Sequence, residues 1–185
     1  MHDIIITGGT VIDGTGSPGV KADVAIGGTR ISELCKASES KGAMTIQAEG
    51  MVVCPGFVDI HTHSDTYLLS CPLAESKIRQ GVTTELVGNC GGSAAPLVGL
   101  ARKVYAESNK SLWVDVDWST FDEYLLRLSD LRTSVNVASL VGADTLRLGV
   151  IGADDRPPSD DELGEMNKLL ADAMLEGAYG VSSGL

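Results

Sequence analysis

Pro55-Gly56-Phe57-Val58-Asp59-Ile60-His61-Thr62-His63 closes an apolar run that begins at Met51, and it decides how the rest of the chain is read. The full run, MVVCPGFVDIH, has the near-continuous hydrophobicity of a strand buried on both faces of a parallel sheet. Alternate residues of a strand point to one face, about 6.5 Å apart along it. His61 and His63 can therefore lean toward one cation at the carboxyl end of the strand, where barrel enzymes place their chemistry. Two histidines at i and i+2 are a weak motif alone, and a structural pair is the competing reading. The chain has three histidines in all, and the setting of these two, after a buried strand and a Pro-Gly turn, favours metal ligation.

Working outward, a helical stretch at Leu73 to Gln80 is closed by Gly81, and a second buried strand runs from Val82 to Gly88. That β-α-β spacing suits one unit of a barrel or doubly wound sheet. Leu86-Val87-Gly88-Asn89-Cys90-Gly91-Gly92 then brings Cys90 out at the end of the neighbouring strand. Flanking glycines allow backbone and metal to approach closely, and a thiolate is a good zinc ligand once a cation lowers its pKa. The competing reading, a small thiol buried in a tight turn, loses ground beside HxH. Asp65 has two open roles: partner for the outer nitrogen of a metal-binding histidine, or a turn or cap. Cys35, Cys54 and Cys71 read as structural, with Cys54 inside the first barrel strand, and His2 reads as a bystander at a mobile end.

On the amino-terminal side, Ile4 to Thr7, Thr10 to Ile12, Asp23 to Ile26 and Arg30 to Leu34 are short β runs separated by glycine-rich turns. They predict a small antiparallel β-module over residues 1–50. On the other side, Phe121, Tyr124, Leu125 and Leu128 form one helical face, with Ser119 as a possible cap. Ser134 to Val141 predicts a third strand. Ser159 to Glu176 predicts a helix with Ser159 and Glu162 as a capping box and Gly177 as its stop. Tyr179 to Ser183 is a fourth strand, and Ser182 and Ser183 at its end either pack or touch substrate.

The fold expected is thus α/β, with the first half of a (β/α)8 TIM barrel (about four βα units) over residues 51–185. Half a barrel leaves two unpaired sheet edges, so the 185-residue chain reads as truncated. The net charge of −11 argues against nucleic-acid binding. No apolar run approaches a membrane span, and the start lacks a signal-peptide pattern, which makes the cytoplasm the default compartment. Four widely spaced cysteines without a CxxC pair are not a disulfide framework.

The opening IITGGTVIDGTG, the PGFVDIHTH strand and GNCGGSAAP, followed by VNVASLVG and GAYGVSSGL, together resemble the amidohydrolase superfamily. Within it they resemble the N-acyl-D-amino-acid deacylases, or D-aminoacylases. HxH marks only the superfamily. GNCG singles out the D-aminoacylase branch, because hydantoinases and dihydroorotases use a carboxylated lysine as bridging ligand.

The resemblance implies a β-sandwich built from both chain ends, of which residues 1–50 are one part, and a barrel holding one or two zinc ions. It implies hydrolysis of the amide bond of small-molecule N-acyl-D-amino acids. His61 and His63 then belong to one metal position and Cys90 helps hold the other. Two further histidines and a catalytic aspartate come from later strands; no histidine follows His63, and the aspartate is expected beyond Leu185. One departure stands out. Family members commonly carry Gly-His-Gly after the VNVASLVG strand, and this chain has Gly142-Ala143-Asp144. Ala143 can neither bind metal nor carry a proton, and Asp144 reads as a solvated loop acid. The alternatives are a hydantoinase- or dihydroorotase-like enzyme and a catalytically inactive fragment.

Overall fold

The computed structural model describes residues 2–35 and 42–184, with Cys35 described by its backbone alone. The structural role expected of the Cys35 thiol lies outside the described residues. The chain divides into two compact units, Met1–Pro55 and Gly56–Leu185.

The first unit is built from strands: β1 (His2–Thr7), β2 (Thr10–Val11), β3 (Val20–Lys21), β4 (Asp23–Gly27), β5 (Arg30–Cys35), β6 (Gly42–Gln47) and β7 (Val52–Val53). They form one sheet in the order β5-β4-β1-β6 and another in the order β3-β2-β7. The expected antiparallel module is in fact mixed. β1 pairs antiparallel with β4 but parallel with β6, and β2 pairs parallel with β7. The β4–β5 hairpin intervenes between β1 and β6, so β6 re-enters beside β1 in the same direction. Ile5, Val11, Val24, Ala25 and Ala48 are buried. Asp23 is buried with them and accepts the Gly8 N–H at 2.9 Å. His2 belongs to β1, its Nδ1 3.0 Å from Ser32 Oγ.

The second unit contains β8 (Phe57–Asp59), β9 (Val82–Val87) and β10 (Asn136–Ser139), a parallel sheet in the order β10-β9-β8. β11 (Val141–Gly142) pairs in parallel with β12 (Val181–Ser182). Backbone bonds of 2.9 Å from Leu140 N–H to Val87 O and from Tyr179 N–H to Ser139 O carry the same parallel order past β10. Between the strands lie α1 (Tyr67–Ser70), α2 (Glu75–Ile78), α3 (Gly99–Ser108), α4 (Phe121–Leu131), α5 (Ala143–Val150) and α6 (Asp160–Leu175). None of the described helices is long and apolar enough to cross a membrane.

Several elements depart from expectation for local reasons. The run from Met51 to His61 is two strands, because Cys54-Pro55-Gly56 interrupts it and proline has no N–H for a ladder. Val52–Val53 joins the first unit as β7, and Cys54 lies in no strand and is exposed. β8 is an edge strand, and Phe57 and Val58 are each 58% exposed rather than buried on both faces. The helix expected from Leu73 to Gln80 shortens to the single turn of α2, entered through Ala74 at φ +42°. The third strand breaks at Leu140 into β10 and β11. The cap of α4 is Thr120, whose hydroxyl accepts the Glu123 N–H, while Ser119 donates its own N–H to the Glu123 carboxylate. α6 carries the Ser159–Glu162 capping box as expected. α3 and α5 were not anticipated, and Gly142-Ala143-Asp144 is the start of α5 rather than a loop.

Phe121, Tyr124 and Leu128 form the buried face of α4 and pack in one core with Leu68, Val87, Leu97, Trp118 and Val141. Trp118 spends its single donor on Ala94 O at 2.7 Å, which lets the ring be buried without an orphan N–H. Burial of each such large side chain stabilises the unit by about 1.5–3 kcal/mol.

Candidate metal centre

β8 ends at Asp59, and His61 and His63 stand in the bend that follows it. Strand alternation therefore does not bring the imidazoles together; the exit of the chain from the strand does. The two rings meet edge to face, centroids 5.5 Å apart. Cys90 occupies the turn after β9, the neighbouring parallel strand, and its Sγ is 3.1 Å from His61 Nε2. One ligand atom from each of His61, His63 and Cys90 lies within 4.8 Å of the others, and all three residues are exposed.

The Cys90 turn is held tightly. Cys90 itself has φ +54°, a left-handed conformation unusual for a side-chain-bearing residue. Gly88 is at φ +77°, and a Cβ there would stand 2.2 Å from Leu140 O. Its glycine thus serves the approach of the next strand rather than of a metal. Gly91 O accepts the first N–H groups of α5, from Asp144 at 3.0 Å and Thr145 at 3.1 Å. Asp144, expected as a solvated acid, is exposed but has its carboxylate against Gly91, where a Cβ would meet Oδ2 at 2.3 Å. Ser182 donates to Gly88 O at 2.5 Å and accepts the Gly91 N–H at 3.1 Å. It braces the turn, and Ser183 is exposed beside it.

Asp65 is buried and accepts the Gly88 N–H at 2.8 Å. Among the described residues no hydrogen bond joins it to either imidazole; its bond to Gly88 ties the histidine segment to the cysteine turn. Burial pushes its carboxyl above the usual carboxylate range, and backbone N–H groups and the neighbouring His63 pull the other way. Asn89 makes a second tie, its Nδ2 donating to Thr62 O at 3.2 Å and to Leu86 O at 2.7 Å.

A family model described as the amidohydrolase family matches residues 44–185. This chain belongs to the amidohydrolase family. It is 40% identical to the N-acyl-D-aspartate deacylase of Alcaligenes xylosoxydans xylosoxydans over 184 residues, which is 98% of this chain and 36% of that protein. A solved D-aminoacylase with a binuclear metal centre matches 100% of this chain and 39% of its own, at 41% identity and TM-score 0.88. The N-acyl-D-glutamate deacylase of Bordetella bronchiseptica, solved with zinc and a phosphonate mimic of the tetrahedral intermediate, matches 100% of this chain and 38% of its own, at 35% identity and TM-score 0.90. The chain thus spans well under half the length of these relatives.

The amidohydrolase donor set fits zinc. Two imidazoles and a thiolate are among its preferred ligands, with bonds of about 2.0–2.3 Å that space the donors by less than about 4 Å. His61 Nε2 and Cys90 Sγ already satisfy that spacing. Beside His63 opens a cleft of about 320 Å³ lined by Asp65, Thr66, Tyr67, Ser93, Tyr105 and Leu112, among others, and, among the described residues, by no lysine or arginine. Thr66 is hydrogen-bonded to Tyr105 OH there, and burial pushes that phenol's pKa up.

Sequence reasoning selected the three converging side chains and named Asp65 and Ser182 beside them, but left out Asn89, and also Lys77 and Glu85, which hydrogen-bond Asp59, Thr62 and Ser64 around the histidines. Asn89 carried a visible signal as the one amide within Gly88-Asn89-Cys90-Gly91. Glu85 carried another, the single charge in the strand Val82–Val87. Lys77 carried none, since an isolated lysine on a short helix looks like any solvated one.

Proposed function

We propose that this chain is the amino-terminal portion of a zinc-dependent deacylase that hydrolyses the amide bond of N-acyl-D-amino acids. The convergence of His61, His63 and Cys90 on one point carries the reading, and the deacylase relatives supply the reaction class. In the whole protein the second unit is the first half of a (β/α)8 barrel, and the first unit is part of a β-sandwich.

When bound, zinc supplies Lewis acidity to the acyl carbonyl and to the attacking water. His61 and His63 would hold one ion where the chain leaves β8, and Cys90 would help hold a second from the turn after β9. Asp65, Asn89 and Ser182 keep the ligand-bearing segments in register. The cleft beside His63 accepts the uncharged acyl group: two tyrosines and Leu112 give it apolar walls, and among the described residues no lysine or arginine lines it to pair with a carboxylate. The substrate carboxylate is gripped by residues outside this cleft. The acid–base aspartate and the remaining metal ligands come from the rest of the length seen in the relatives, and this chain alone is inactive.

The test is turnover by the full-length protein of N-acetyl-D-amino acids, their L-enantiomers and cyclic imides, before and after chelation and zinc return. D-selective deacylation, lost on chelation and restored by zinc, is the expected result. Turnover confined to cyclic imides, or indifferent to chelation, would refute the proposal.

A further inference from the structure

The histidine segment is fastened from below at alternate points. Asp59 Oδ1 accepts the backbone N–H of His61 at 3.2 Å. Thr62 stands between the two histidines, and Ser64 follows the second. The groups that hold Asp59, Thr62 and Ser64 converge from α2 and β9. Lys77 Nζ donates to Asp59 Oδ2 at 2.6 Å and to Thr62 Oγ1 at 2.9 Å. It also stands 3.9 Å from Glu85 Oε2, the oxygen that accepts from Ser64 Oγ. Glu85 is fully buried, and its Oε1 has no hydrogen-bond partner among the described residues.

A buried carboxylate needs a compensating cation, and Lys77 supplies it. The ammonium also holds the Asp59 carboxyl below the usual carboxylate range. Lys77 is not held by its own helix, which is one turn long and contains no buried residue. Its side chain is nonetheless only 23% exposed. Its position is therefore set by the three oxygen-bearing groups around it, and those groups take their positions from it.

We infer that Lys77 is a positioning residue for the metal centre: its ammonium, held between Asp59, Thr62 and Glu85, fixes the 59–64 segment so that both imidazoles face Cys90. The inference rests on His61, His63 and Cys90 being metal ligands. Lys77 touches neither metal nor substrate and acts through the backbone between the histidines. Replacing it with methionine keeps the apolar stem, removes the donor to Thr62, and leaves the Asp59 and Glu85 carboxylates without their shared cation.

The test uses the full-length protein loaded with cobalt in place of zinc, since thiolate-to-cobalt absorption and ligand-field band intensity report coordination directly. Lys77→Met is expected to weaken cobalt binding about 10–100-fold and to alter the ligand-field bands. Lys77→Arg, which keeps the charge, is expected to recover most of both. Thr62→Val removes the Lys77–Thr62 bond, together with the longer 3.3 Å contact from Thr62 Oγ1 to Ser64 Oγ, at constant shape; it shifts affinity and bands in the same direction by less, and decides the matter if Lys77→Met does not fold. Affinity within about twofold of wild type and unchanged bands in Lys77→Met, or in Thr62→Val in its place, would overturn the inference. A wild-type protein without thiolate-to-cobalt absorption would overturn the metal-centre reading, and this one with it. A wild-type band that Cys90→Ala abolishes and Lys77→Met leaves intact overturns the role of Lys77 alone.

Discussion

Replacing Asn89 tests whether the two ligand-bearing segments depend on one another. Its side-chain amide is buried and donates to Leu86 O at 2.7 Å and to Thr62 O at 3.2 Å. One bond closes the turn on its own strand; the other crosses to the peptide between the histidines. Asn89→Ala removes both donors. Each lost hydrogen bond costs about 0.5–1.5 kcal/mol when water can replace the donor, and the exposed site next door gives water access. The expected loss is therefore about 1–3 kcal/mol. Asn89→Asp is the sharper variant, because it sets a carboxylate against two carbonyl oxygens. It should be less stable than Asn89→Ala despite its closer shape. Chemical unfolding of the metal-free full-length protein measures the first effect. Competition with a chromogenic chelator measures the second, a zinc dissociation constant raised about tenfold. An Asn89→Asp protein as stable as wild type, with unchanged zinc affinity, would refute the tie between the segments.

Gly88→Ala should destabilise by about 3 kcal/mol or more, since the left-handed backbone alone costs about 1–2 kcal/mol and the new Cβ would stand 2.2 Å from Leu140 O; a wild-type melting temperature would contradict this. Glu162 is held down to a pKa of about 2 by Arg156 and by the Ser159 N–H of its capping box. Because the folded value is depressed, its contribution to the α6 amino terminus is present above the ordinary glutamate range and is lost as pH falls toward 2. A carboxyl titration followed by nuclear magnetic resonance should show that midpoint, and Glu162→Gln should flatten the acid dependence of stability in the same window. A midpoint at the ordinary glutamate value would show that the Arg156 pair does not persist in solution.

The three side chains that converge were legible because histidine and cysteine are scarce and their spacing from strand ends is a local property. The reason they converge was not. Strand alternation brings His61 and His63 to one face in principle, yet β8 stops at Asp59 and a hydrogen-bonded bend does the work instead. α4 was legible from its apolar spacing, though not its Thr120 cap, and α6 from its Ser159–Glu162 capping box. α5 was hidden because its first residues, Gly142-Ala143-Asp144, look like a loop until their N–H groups are seen docking on Gly91 O. The apolar run from Met51 misled because a pattern of hydrophobicity says what is buried against something, and not which sheet provides the partner. Pro55-Gly56 was the visible clue that the run serves two.

The left-handed backbone at Cys90 bears on how this site is kept over generations. Glycine would sit at φ +54° with no penalty, and a cysteine codon is one base change from a glycine codon. Selection for stability alone therefore pulls position 90 steadily toward glycine. A lineage that goes on encoding cysteine there is under selection for the sulfur itself, and one that has lost the need for metal chemistry should show its first substitution at this turn.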